Sequence, residues 1–185
     1  MMIQTRPTVT ITLRIPCDWR HPKELLDRIP NGYRINGDQL ILPDQTEIEI
    51  SPMPPDKQFP SIFRSTLRRP ANAEELAIVD RYTVNVALTG PGGSLDSALK
   101  MMQAGAAIVQ AGGAGVFIDN SGLTHGAEAW LYMTEEASSD AVSFAFVSIV
   151  RGNQEVWTTG MHVAGFPEII MKRADADADD RAIIE

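Results

Sequence analysis

A glycine-rich stretch, Thr-Gly-Pro-Gly-Gly-Ser at residues 89–94, has the composition of loops that bind phosphate. An alternating apolar stretch precedes it and an amphipathic one follows, so we expect it to join a strand to a helix. Its last three N–H groups would then lie at the positive end of a helix dipole, where anions bind. Asp119 ends the next apolar stretch, at about the position where dinucleotide-binding proteins carry the acid that binds the ribose. The candidate ligand-binding residues are Gly92, Gly93, Ser94, Asp119 and His125.

The same stretch also has a purely structural explanation, which we favour. Known phosphate loops need a lysine after the glycines, or a third glycine at the position that Leu95 occupies here. Ser94 would cap the helix, and Asp96 already places a negative charge in its first turn. The glycines would then serve to turn the chain so that an apolar helix lies back over the sheet.

Histidine and carboxylate residues offer a second kind of chemistry. His125 and Glu128 are three residues apart near an expected helix start, so they could share a face. Together with Asp119 and His162 they could hold a metal ion, if the fold brought all four together. No segment supplies a nucleophile, a base and an oxyanion donor together, so we predict no catalytic residues, metal or cofactor. A metal-dependent hydrolase is kept as an alternative.

Composition restricts the partners of the chain. The 185 residues carry a formal net charge of -8, which disfavours nucleic acid and anionic membrane surfaces. Arg64, Arg68 and Arg69 form the only basic cluster. Cys17 is the only cysteine, so no internal disulfide is available and a reducing compartment is expected. With no secretory signal and no apolar span, we expect a cytoplasmic protein that does not enter membranes.

The order of apolar patterns predicts an α+β fold, with a single mixed, largely antiparallel sheet and helices packed mainly on one face. Five prolines predict an irregular connection over 51–70. The domain is expected to cover 1–172, followed by an acidic, flexible tail at 173–185. Strands are predicted at 8–15, 46–50, 82–89, 141–150, 154–161 and 165–171, with a hairpin at 33–42. Helices are predicted at 21–29, 72–82, 94–111 and 126–133.

Three pieces of the chain together carry a resemblance to a known family. They are the proline-rich Ser-Pro-Met-Pro-Pro-Asp, the central strand–helix–strand ending in Ala-Gly-Gly-Ala-Gly-Val-Phe-Ile-Asp, and the C-terminal TxGM and GxPEI pieces at 158–169. In these the chain resembles a bacterial family of uncharacterised proteins, a domain of unknown function. The resemblance implies a small intracellular α+β domain and assigns no activity.

The function class favoured by the sequence is therefore a non-enzymatic protein-interaction module. Such a domain would bind a protein partner or form a homodimer, as many small domains do. Val156 and Trp157 are adjacent in an expected strand, so one of them is expected at the surface, where an aromatic residue favours binding. Small-molecule binding at 89–97 is the main alternative.

Overall fold

The computed structural model describes residues 8–21 and 23–173, which form two sheets and six α-helices. The strands are β1 (Thr10–Cys17), β2 (Arg34–Asn36), β3 (Gln39–Ile41), β4 (Glu47–Met53), β5 (Val84–Pro91), β6 (Gly115–Ile118), β7 (Leu123–Gly126), β8 (Ser148–Arg151), β9 (Glu155–Thr159) and β10 (Ile170–Lys172). The helices are α1 (Lys23–Arg28), α2 (Phe59–Ser65), α3 (Ala73–Arg81), α4 (Leu95–Gln110), α5 (Ala127–Glu136) and α6 (Ser139–Phe146). A short 3-10 helix, η1, spans Met161–Ala164.

The main sheet has seven strands in the order β2-β3-β4-β5-β1-β6-β7, and every ladder in it is antiparallel. The interior strand β1 alternates as its sequence predicts, because Ile11, Leu13 and Ile15 are fully buried on one face. Arg14, on the other face, pairs in register with Ala87 and Phe117. The predicted α+β fold is confirmed.

Helix α4 begins and ends where the sequence predicts. The Ser94 side chain accepts a hydrogen bond from the Ser97 N–H at 3.1 Å and caps the helix. In this amphipathic segment Met102 and Val109 are buried, but the apolar Leu95 is exposed. The buried surface of α4 is wide because the helix contacts α5, α6 and η1 as well as the sheet.

Most helices lie on one face of the sheet, as predicted. Helices α1, α4, α5 and α6 contribute to the main core on this face. A second, smaller core lies at one end of the opposite face, where Phe117 meets residues of α2 and α3. The rest of that face is polar and partly solvent-exposed along β1, β4 and β5.

The prediction of one strand over 141–150 is wrong. Its first part is the helix α6, and only 148–151 is extended. The Ser138 side chain accepts a hydrogen bond from the Ala141 N–H at 3.0 Å, and this cap starts a helix that buries Val142 and Phe146. Burial on the helical period therefore overrides the β propensity of the segment.

The prediction of an irregular connection over 51–70 is also wrong in part. β4 extends to Met53, and α2 begins with Pro60 in its first turn, where a missing N–H costs nothing. After α2, Thr66 and Arg68 exchange backbone hydrogen bonds with Thr124, so this connection covers the edge strand β7.

A second sheet contains three strands in the order β10-β9-β8. The predicted fold had a single sheet and did not include this one. The strand predicted at 154–161 is confirmed as β9, which pairs antiparallel with β8. Residues 174–185 of the predicted acidic tail lie outside the described residues. No helix of the described part has the length and apolar character needed to cross a membrane.

Candidate functional site

The backbone amides of the glycine-rich loop already have protein partners. The Gly92 N–H donates to the Val9 carbonyl at 2.8 Å, and the Gly93 N–H donates to the Val163 carbonyl at 2.8 Å. The Ser94 side chain is engaged with Ser97. These two glycine amides are therefore not available to an anion, and the loop instead packs against η1.

Asp119 points away from α4 and from the glycine-rich loop. Its carboxylate forms a bidentate ion pair with Arg14, at 2.7 Å to Nε and 2.8 Å to Nη2. Arg14 lies on the polar face of the sheet, whereas α4 covers the opposite face. Asp119 and the loop therefore do not line one cleft.

His125 is not at an exposed helix start but in strand β7, and it is almost completely buried. It stands opposite Val116 on the core face and contacts Trp130 and Phe144. Its Nε2 is 2.9 Å from the Ala145 carbonyl, which can only accept, so Nε2 carries the proton. Burial lowers the pKa of His125 to about 4, which keeps the ring neutral.

The four proposed metal ligands do not converge. Asp119 is paired with Arg14, and His125 is buried in the core. Glu128 lies in the first turn of α5, and His162 lies in η1. Within the described ranges no group of three or more His, Cys, Asp or Glu side chains could hold a metal ion.

The basic cluster is also used within the molecule. Arg64 forms an ion pair with Asp80 at 2.6 Å. Arg68 and Arg69 both lie over the ring of Phe144, and Arg68 donates to the carbonyl of that residue at 2.9 Å. The cluster therefore joins the proline-rich connection to α3 and α6.

Sequence reasoning missed Glu168 as an organising residue. Its carboxylate accepts hydrogen bonds from the Gly160 N–H at 2.9 Å, the Thr158 hydroxyl at 2.9 Å and His162 Nδ1 at 2.6 Å. Burial alone would raise the pKa of Glu168, but the hydrogen bonds from His162 and Thr158 lower it below its usual value. The TxGM and GxPEI pieces contain all of these partners except His162, which directly follows TxGM, and they were the signal that could have found this cluster.

The Glu168 cluster holds a segment whose apolar side chains face solvent. Phe166, Ile169 and Ile170 are 51%, 54% and 67% exposed. Ile149 of β8 and Met171 of β10 are also exposed, and we call these five residues the apolar ribbon. Of the adjacent pair in β9, Val156 is buried and Trp157 is half-buried, opposite Ile170.

Two cavities lie elsewhere in the described part of the chain. One, of about 670 Å³, lies between α3, α5 and α6. The buried Glu75 at its edge accepts from the Asn72 and Glu128 N–H groups, so one carboxylate caps both α3 and α5. The other, of about 500 Å³, lies between α1 and the main sheet and is lined mainly by apolar side chains.

Searches with the whole chain against models of protein families, curated proteins and solved structures found no match.

Proposed function

We propose that the chain is a protein-interaction module that binds a second copy of itself through the apolar ribbon. The observation that carries this proposal is the grouping of exposed apolar residues. Among the described residues, five of the ten exposed large hydrophobic side chains belong to the ribbon. Single exposed apolar residues are common, but five within one short stretch of chain, 149–171, favour a binding surface.

The edge of the small sheet supplies the backbone groups for such an interface. β10 is the last strand of its sheet and pairs only with β9 among the described residues. Edge strands pair readily with another chain, and two copies of one strand can pair antiparallel across a two-fold axis. Ile170 and Met171 would then lie at the centre of the interface.

The local charge of this region differs from that of the whole chain. The whole chain carries a formal charge of -8, so two copies repel each other over most of their surfaces. Residues 148–173 contain three basic residues, Arg151, Lys172 and Arg173, and two acidic ones, Glu155 and Glu168. Residues 148–173 therefore carry a formal charge of +1 with His162 neutral, and do not share the negative charge of the whole chain.

The Glu168 cluster supports the proposal by fixing the segment before binding. Its hydrogen bonds to Thr158, Gly160 and His162 join both ends of the 158–168 segment. A surface that is ordered in advance loses less conformational entropy when it binds. The single, buried Cys17 is consistent with a reducing compartment, and we place this function in the cytoplasm.

Analytical ultracentrifugation over a range of protein concentrations tests self-association. We expect a monomer–dimer equilibrium that Ile170→Glu shifts to the monomer, because a charge at the interface centre would be desolvated. The control is Tyr132→Glu, since Tyr132 is equally exposed at 66% but lies on α5. A protein that stays monomeric at every concentration would contradict the proposal, as would a dimer that both variants weaken equally.

Thiol labelling locates the interface independently, because Cys17 is fully buried and does not compete for the reagent. The maleimide labelling rate of Ile170→Cys should fall as the protein concentration rises. The rate for Tyr132→Cys should stay constant over the same range. Equal behaviour of the two cysteines would place the dimer interface elsewhere.

A further inference from the structure

The cavity between α1 and the main sheet has the size and lining of a ligand site. Its volume of about 500 Å³ lies within the range of small-molecule pockets. Its floor includes Ile50 and Val86, which are buried residues of β4 and β5. Trp19 and the half-buried Ile35 form part of its walls. A ligand bound against such a lining would remove apolar surface from contact with water.

The polar atoms in the lining are already satisfied by the protein. The Trp19 Nε1–H donates to the Ala111 carbonyl at 2.9 Å. The Thr83 hydroxyl donates to the Trp19 carbonyl at 2.6 Å. The interior therefore offers no strong hydrogen-bonding group to a ligand, and an aliphatic chain fits it better than a sugar or a base.

Helix α1 covers this cavity without being buried itself. None of its six residues is fully buried, and Leu26, which lines the cavity, is 56% exposed. Leu25 is half-buried against the main core. A guest in the cavity would give both leucines an apolar partner, so binding would complete the packing of α1.

The rim of the cavity carries one cation suited to an anionic head group. Arg20 lines the cavity and is exposed. Its main-chain N–H is bonded to Glu24, but its guanidinium has no ion-pair partner among the described residues. The Glu24 carboxylate is itself held by Arg28 at 2.6 Å. Arginine binds carboxylates with paired, charge-assisted hydrogen bonds.

We infer that this cavity binds an aliphatic monocarboxylate, with the alkyl chain between α1 and the sheet and the carboxylate at Arg20. The site is separate from the apolar ribbon and does not depend on self-association. Its occupant is an amphiphile with one negative charge, which distinguishes it from a neutral alkane-like guest and from a cationic one.

Isothermal titration with three probes below their micelle concentrations tests this inference: dodecanoate, dodecanol and dodecyltrimethylammonium. We expect saturable dodecanoate binding, weaker dodecanol binding and no binding of the cation. Arg20→Gln should weaken dodecanoate about tenfold, the worth of a charged hydrogen bond, and leave dodecanol unchanged. Arg151→Gln, in the distant strand β8, is the matched control and should change neither affinity.

Filling the cavity provides the second test. Val84→Phe and Ile35→Phe each place a ring in the space, so each should abolish binding of both neutral and anionic probes. Circular dichroism establishes whether each variant is folded. Two positions are used so that the test stands even if one variant does not fold. The inference is overturned if no probe binds, if both folded filling variants bind normally, or if dodecanoate binds no better than dodecanol.

Discussion

At the scale of single residues, His125 shows how environment decides the role of a side chain. In the sequence it stands near Asp119 and Glu128 and offers a ligand or a base. In the structure its ring is enclosed by Trp130 and Phe144, and its one proton is committed to a carbonyl. A ring held in this way stabilises the core and is not accessible to substrate.

The buried ring makes a prediction about pH. Because the pKa of His125 is lowered to about 4, the unfolded chain binds a proton that the folded chain does not at pH between about 4 and 6.5. The stabilising contribution is complete above pH 6.5 and is lost as the pH falls towards 4. In the His125→Gln variant the glutamine can still donate to the Ala145 carbonyl but does not titrate. We therefore expect its free energy of unfolding to fall by about 3 kcal/mol less than that of the wild type between pH 6.5 and 4.

Urea denaturation of both proteins at several pH values between 4 and 7 measures this difference. Comparing the two curves removes the titration of carboxylates, which both proteins share. Parallel curves across this range would show that His125 is protonated equally in the folded and unfolded chains, and the account of its burial would be wrong.

At the scale of elements, the glycine-rich loop connects β5 to α4 and packs against η1. Gly93 has a φ of +85°, and its N–H bonds to Val163. Gly160 precedes η1 with a φ of +99°, and a Cβ there would collide with the Phe146 carbonyl oxygen. Both glycines are needed for backbone geometry, but only the second lacks room for a side chain.

The two glycines should therefore differ when replaced by alanine. A Cβ at Gly93 would meet Val9 at an ordinary 3.6 Å, so only the left-handed conformation costs, about 1 to 2 kcal/mol. Gly160→Ala adds a steric collision and should cost about 3 kcal/mol or more. The free energy of unfolding in urea measures both values.

Inorganic phosphate supplies the control for the loop. If phosphate stabilises the wild type and Gly93→Ala abolishes that effect without lowering intrinsic stability, the loop is an anion site. We expect instead that Gly93→Ala lowers the free energy of unfolding by the same amount with and without phosphate.

Elements with a regular apolar period in the sequence were predictable. Elements whose conformation depends on contacts with other elements were not. β1, β5 and α4 have regular apolar periods and clear ends, and each lies within a few residues of its predicted bounds. The 141–150 segment has β-forming residues, but contact with α5, η1 and β7 buries it on a helical period. β7 is too short to give a pattern and exists because β6 and the connection after α2 pair with it.

At the scale of the whole molecule, Cys17 reports on the cooperativity of the fold. It is fully buried at the end of β1, between β5 on one side and Gly113 on the other. Burial raises the pKa of its thiol, so the reactive thiolate forms only after the chain opens.

Labelling of Cys17 should therefore require global unfolding. The opening free energy from thiol labelling in low urea should equal the free energy of unfolding measured by circular dichroism. A smaller opening free energy would reveal a partial unfolding that releases the end of β1 and leaves the rest of the sheet intact. We propose Ile170→Glu for this measurement, because we expect that variant to be monomeric and self-association would then not affect the comparison.

The candidate sites show the limit of sequence reasoning most clearly. Gly92, Gly93 and Ser94 were correctly located between a strand and a helix, but the Gly92 and Gly93 N–H groups donate to Val9 and Val163. Asp119 was separated from them because β6 directs it to the polar face with Arg14. The cavity under α1 combines residues far apart in sequence, so no local pattern could have identified it. Four of the five residues of the apolar ribbon lie within 166–171, but only the tertiary structure shows that they stay exposed.

The sequence by itself determined the α+β class, the alternating strand β1 and the capped helix α4, because alternation, helical period and capping are local properties. Only the tertiary structure decided which polar groups are available and which apolar groups stay exposed. Those outcomes depend on contacts between distant segments: η1 closes over the glycine-rich loop, α5 and α6 enclose His125, α1 covers a cavity without filling it, and the apolar ribbon stays exposed.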